Sequence, residues 1–139
     1  MRYTKSRTFH RLPTTLLLMA VAVSGGCADR LLAPGDELLG RWGGDHIEFV
    51  AEADGVMIRM ACAWANVPGP FTLGSVRDFE GTGLLYRSSH IGEPLNLRFG
   101  GRLVPGGGLR LTLVFNEEQS VAYFLRLGRR ADLSTICVD

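Results

Sequence analysis

Between Ile47 and Leu127 much of the chain alternates apolar and polar residues one by one. That is the period of a strand with one buried face, not the 3.6-residue period of a helix. Ile47, Phe49 and Ala51 alternate with His46, Glu48 and Glu52. Asp54-Gly55 is a turn signal, and beyond it Val56, Ile58, Met60 and Cys62 alternate with Met57, Arg59, Ala61 and Ala63, which predicts a hairpin. Later, Leu95, Leu97, Phe99 and Leu103 share one face, and Asn96, Arg98 and Arg102 take the other. Past Pro105-Gly106-Gly107-Gly108 come Leu109, Leu111, Leu113 and Phe115, and past the polar turn Asn116-Glu117-Glu118-Gln119 come Val121, Tyr123, Leu125 and Leu127. Three successive strands joined by short turns predict an antiparallel meander.

The middle is less regular. Val67-Pro68-Gly69-Pro70 reads as a turn, Phe71-Thr72-Leu73 as a short strand, Leu84-Leu85-Tyr86 as another, and Ser88 to Pro94 as a loop. The strands number about eight, and Pro and Gly leave little room for a long helix. One apolar face per strand demands a closed barrel or a two-sheet sandwich. The local connections favour an all-β antiparallel barrel of roughly eight strands, with a β-sandwich as the alternative.

The first residues follow another pattern. Arg2, Lys5, Arg7 and Arg11 make a basic head without an acid, Thr14 to Val23 is apolar, and Ser24-Gly25-Gly26-Cys27-Ala28 is a small-residue exit. These are the three parts of a secretory signal. The apolar run is shorter than the roughly 20 residues a spanning helix needs. The expected organisation is a signal peptide over 1–26, a tether over 27–37 broken at Pro34-Gly35-Asp36, and a single small domain over 38–139.

Gly25-Gly26-Cys27 resembles the lipobox of bacterial lipoproteins, whose cysteine becomes the lipidated first residue. Ser24 stands where that motif has an aliphatic residue, so ordinary cleavage nearby, for example after Ala28, is the alternative. With Cys27 lipidated, Cys62 and Cys137 remain, and two thiols in an oxidising compartment are expected to pair. The resemblance implies a protein of the cell envelope, anchored to a membrane through Cys27 on the periplasmic or outer side.

Removal of 1–26 leaves 11 Arg against 14 Asp and Glu. A net charge near −3 excludes a nucleic-acid partner as an expectation. Gly40-Arg41-Trp42 resembles the G-x-W element that opens lipocalins and related small barrels. There the tryptophan closes one barrel end under a late arginine, which implies closure here by Gly40 and Trp42, with Arg126, ahead of Arg129 and Arg130, as the arginine. Trp42-Gly43-Gly44-Asp45-His46-Ile47, with a cysteine after the hairpin and another near the C-terminus, is similar to a group of small secreted bacterial proteins without an assigned activity.

Candidate chemistry is thin. Asp45-His46 with Glu48 reads as a polar strand face, Ser88-Ser89-His90 as a polar loop, and Asp78 with Glu80 as a carboxylate pair without an evident cleft. The glycine runs lack the Gly-Lys-Ser/Thr of a phosphate loop. The expectation is therefore no catalytic residue, no metal and no cofactor. Two functions are carried forward: an envelope-located lipoprotein that binds another macromolecule, and a lipocalin-like carrier of a small apolar ligand. The bulk of Leu, Phe, Ile and Met at inward positions favours a filled barrel, while a cavity lined by Phe49, Met60, Phe99, Leu111 and Tyr123 would favour the carrier.

Overall fold

A computed structural model of the chain describes residues 32–88, 92–134 and 137. Eight strands follow in order: β1 (Gly40–Gly43), β2 (Ile47–Glu52), β3 (Gly55–Met60), β4 (Ala63–Pro68), β5 (Asp78–Arg87), β6 (Leu95–Val104), β7 (Gly108–Phe115) and β8 (Gln119–Leu127). Each pairs antiparallel with the next, and β8 returns to β1, closing a barrel. The barrel reading is the observed one. Among the described residues the strands form one sheet closed on itself, and not the two sheets of a sandwich.

The period-two positions land where expected. Phe49, Val56, Ile58, Leu97, Phe99, Leu109, Leu111, Leu113 and Leu125 all face inward and are almost completely buried. At about 25 cal/mol per Å² of apolar surface, this burial is the main force behind closure. Aromatic rings occupy the centre. Phe49 lies 5.9 Å from Trp42, 5.4 Å from Phe79 and 6.2 Å from Phe99 between ring centroids. Phe71 reaches Phe99 at 5.7 Å.

These rings fit because the strands opposite them carry glycine. A Cβ on Gly81 would stand 2.5 Å from Cζ of Phe99, and one on Gly83 2.6 Å from Cγ2 of Val67. A Cβ on Gly101 would collide with the Phe79 ring. Inward glycines also account for the one long strand that alternation understates. β5 runs ten residues, Asp78–Arg87, beyond the expected Leu84-Leu85-Tyr86.

Two other segments differ from expectation. Val67 and Pro68 end β4 and do not make a turn. Phe71-Thr72-Leu73 joins no strand; Thr72 forms an isolated bridge with Glu37. Gly35 and Leu38 donate their amides to the carbonyls of Leu73 and Phe71, and Leu73 donates to Asp36. Residues 33–37, expected as tether, thereby dock on the barrel, and Leu38 beside them is buried with Leu73.

The sulfurs of Cys62 and Cys137 are bonded, with Cα atoms 5.4 Å apart, as the cysteine count predicts. The C-terminal partner is not a strand. After β8 the chain leaves the sheet, and Gly128 donates its amide to the Arg41 carbonyl. Arg129 and Ala131 lie against the outer side of Gly43, and Cys137 meets Cys62 at the β3–β4 turn. Sheet closure is left to β8 and β1, which pair only at Trp42↔Leu127 and Gly43↔Arg126.

Candidate functional site

The two barrel ends are built differently. One end carries the β2–β3 and β6–β7 turns and the docked Ala33–Leu38 segment. Trp42 belongs to this end, since its register partner Leu127 donates its amide to Gly107 of the β6–β7 turn. Its indole is buried, and Nε1 has no hydrogen-bond partner among the described residues. Gly40 lies against the ring.

Arg126 does not share that place. It alternates with buried Leu125, faces outward and is exposed opposite Gly43. Arg129 pairs with Asp45 at 2.8 Å, and Arg130 is exposed. Among the described residues no arginine stacks on Trp42.

The opposite end carries the β1–β2, β3–β4, β5–β6 and β7–β8 connections. Here Met60, Ala63, Leu95, Phe115 and Tyr123 are only half-buried against the core. They form an apolar rim around the interior. Burial pushes the Tyr123 phenol above its ordinary pKa. Below the rim, the proposed lining residues Phe49, Phe99 and Leu111 have essentially no exposed surface, so the barrel centre is packed by its own side chains.

On the outer wall, register lines up Glu48, Arg59, Trp64 and Tyr86 across β2 to β5. Trp64 and Tyr86 stack with centroids 4.6 Å apart and planes 19° from parallel, and they are 47% and 39% exposed. A groove of about 330 Å³ beside them is lined by Met57, Arg59, Trp64, Ser88 and Leu133, among others. Aromatic pairs usually hide such area, and this one stays open to solvent.

Glu48 departs from the reading of a solvated strand face. Alternation points it outward, yet it is 4% exposed. The C-terminal segment explains this. A Cβ on Gly43, the residue opposite Glu48, would strike the Arg129 carbonyl. The strap therefore crosses this point, and Arg41 and Arg59 reach the two Glu48 oxygens at 3.0 and 3.5 Å. Outward alternation alone could not reveal a cover supplied by residues eighty positions later.

The remaining candidates do not assemble a reaction centre among the described residues. His46 is exposed on the β1–β2 turn. Near it, Asp132 has its carboxyl held below the usual range by Ser134 hydrogen bonds, with a smaller contribution from the His46 charge. Asp78 and Glu80 line an open groove on the outer wall with Arg102, Arg110 and Thr112. No group of three or more metal-ligating side chains occurs among the described residues. Cys27, Ser89 and His90 lie outside those residues.

Comparison of the chain with family models, with curated proteins and with solved structures gives no match.

Proposed function

We propose that this protein is a small exported barrel, held at a membrane by lipid on Cys27, that works by binding and not by catalysis. Its ligand is a small apolar molecule, or the apolar part of a larger one, taken at the rim of Met60, Ala63, Leu95, Phe115 and Tyr123. The observation that carries this reading is the inequality of the two ends. One is sealed by Trp42, Leu38 and Leu73, and the other presents half-buried apolar side chains to solvent. The plan resembles a lipocalin's, with a shallower seat because the centre is packed.

Titration with an environment-sensitive apolar dye, followed by competition with fatty acids of increasing length, tests the reading. Saturable binding that Leu95→Glu and Phe115→Asp abolish is expected. Binding that survives both substitutions rejects the rim as the site.

The stacked Trp64–Tyr86 pair supports a second reading, in which another macromolecule docks on the outer wall. Aromatic anchors of this kind dominate binding energies. In that case Trp64→Ala and Tyr86→Ala, not the rim substitutions, remove binding to the physiological partner. The acidic balance of the chain beyond residue 26 favours neither nucleic acid nor anionic surfaces as that partner.

A further inference from the structure

The barrel is closed unevenly at its last seam. β7 pairs with β8 along its whole length, from Gly108↔Arg126 to Phe115↔Gln119. β1 reaches β8 only at Trp42 and Gly43, because the chain turns away at Gly44, whose amide donates to the Ile47 carbonyl. Among the described residues, Gln119–Leu125 therefore have a strand on one side only.

Which backbone groups are free follows from the hydrogen bonds at the seam. The Leu127 amide points to Gly107, on the β7 side, and the Gly128 amide points to Arg41, on the β1 side. Strand residues alternate, so Phe124, Ala122 and Ser120 turn their N–H and C=O groups into the open seam. All three are exposed, Phe124 to 56%. Exposed edges are ordinarily blunted by charge, proline or a bulge. Gln-Ser-Val-Ala-Tyr-Phe-Leu has no charge and no proline, and its register against β7 is unbroken.

We propose that this edge pairs with the same edge of a second copy, antiparallel about a two-fold axis at Ala122. The sequence is arranged for that register. Val121 of one copy meets Tyr123 of the other, and Ser120 meets Phe124. Pairs of β-branched and aromatic side chains are favourable across strands, and no like charges face each other. The axis repeats each of these contacts, as an isologous interface requires. An unrelated strand would gain the backbone bonds but not these matched side-chain pairs. Pairing also covers the seam beside the half-buried Tyr123.

Light scattering on the purified mature chain, with concentration varied, tests the proposal together with two variants. A dimer is expected, and Ala122→Lys, which sets two ammonium groups face to face, should weaken it on the order of tenfold or more. Ala122→Cys should form a disulfide joining two copies of the Gln119–Leu125 peptide, identifiable by mass spectrometry. Thr112→Cys, on the neighbouring β7 position, should not. A chain monomeric at every attainable concentration overturns the proposal. So does a dimer indifferent to Ala122→Lys, or one cross-linked through position 112. A monomer whose Ser120 and Ala122 amides become protected only on adding an unrelated extended peptide also overturns it, in favour of a foreign strand.

Discussion

Trp42 bends back over Gly40 so closely that a Cβ on that glycine would stand 2.8 Å from the indole Cη2. Gly40 also has φ of +151°, a conformation L side chains rarely adopt. Gly40→Ala is expected to cost about 1–3 kcal/mol, as overpacking does. Trp42→Ala should cost about 3–5 kcal/mol, the usual loss for a buried aromatic. Because the alanine methyl has nothing to strike once the indole is gone, the double variant should cost less than the sum. Trp42→Phe removes the unpartnered Nε1–H and should be milder than Trp42→Ala. Thermal unfolding of the four variants checks the set.

The Cys62–Cys137 bond closes a loop of 75 residues. Chain entropy assigns such a loop a stabilisation of about 4–5 kcal/mol. Cys137→Ser should lower the unfolding midpoint and render the last ten residues sensitive to protease while β1 to β8 stay folded. Protection of that segment in the variant would show that the strap is held by its other contacts.

Glu48 is expected to stabilise the β1–β3 wall through Arg41 and Arg59. Both arginines are nearly half-exposed, so solvent weakens each pair. Glu48→Ala should cost about 0.5–1.5 kcal/mol, the net worth of a hydrogen-bonded contact, because the arginines left behind reach solvent. The double change Arg41→Gln with Arg59→Gln should cost more, because it strands a buried carboxylate. Urea unfolding of the two proteins gives the order directly.

Tyr123 predicts an alkaline effect. Its phenol is raised in the folded barrel by burial, so the fold favours the protonated form. The stabilisation is fully present below the unfolded value near 10 and is lost as pH rises through the higher folded value. Absorbance titration should show a late-ionising phenol that disappears in Tyr123→Phe. That variant should also lose less stability than the parent on passing from pH 9 to 11.

Export and lipidation are tested by mass. The mature chain should lack residues 1–26 and carry acyl mass on Cys27, and Cys27→Ala should release the domain from the membrane fraction. A mature chain beginning at Asp29 rejects lipidation and keeps export.

Alternation made β2, β3, β6, β7 and β8 readable because each sends every second side chain inward, although in β2 the outward Glu48 and Val50 are buried as well. β5 was only partly readable, since Gly81 and Gly83 occupy inward positions where the pattern needs apolar side chains. Gly40-Arg41-Trp42 was readable as an opening element, and the structure makes it part of β1 with Trp42 buried. The rim was partly legible: Met60 and Tyr123 stood among the expected lining residues. Leu95 and Phe115 were seen as core, because periodicity does not tell the middle of a barrel from its end. The Trp64–Tyr86 stack was invisible. It depends on the β4–β5 register across an intervening loop, and nothing local announces which two strands will lie side by side.

The glycines beneath the rings have a consequence for descent. Phe99 can be as large as it is only while position 81 stays bare, and the same bargain binds Phe79 to Gly101 and Val67 to Gly83. Neither member of such a couple is free to drift alone: an alanine at 81 demands a smaller residue at 99, and a smaller residue at 99 leaves a hole that an alanine at 81 would fill. Across a lineage of this barrel, these positions should change in pairs or not at all.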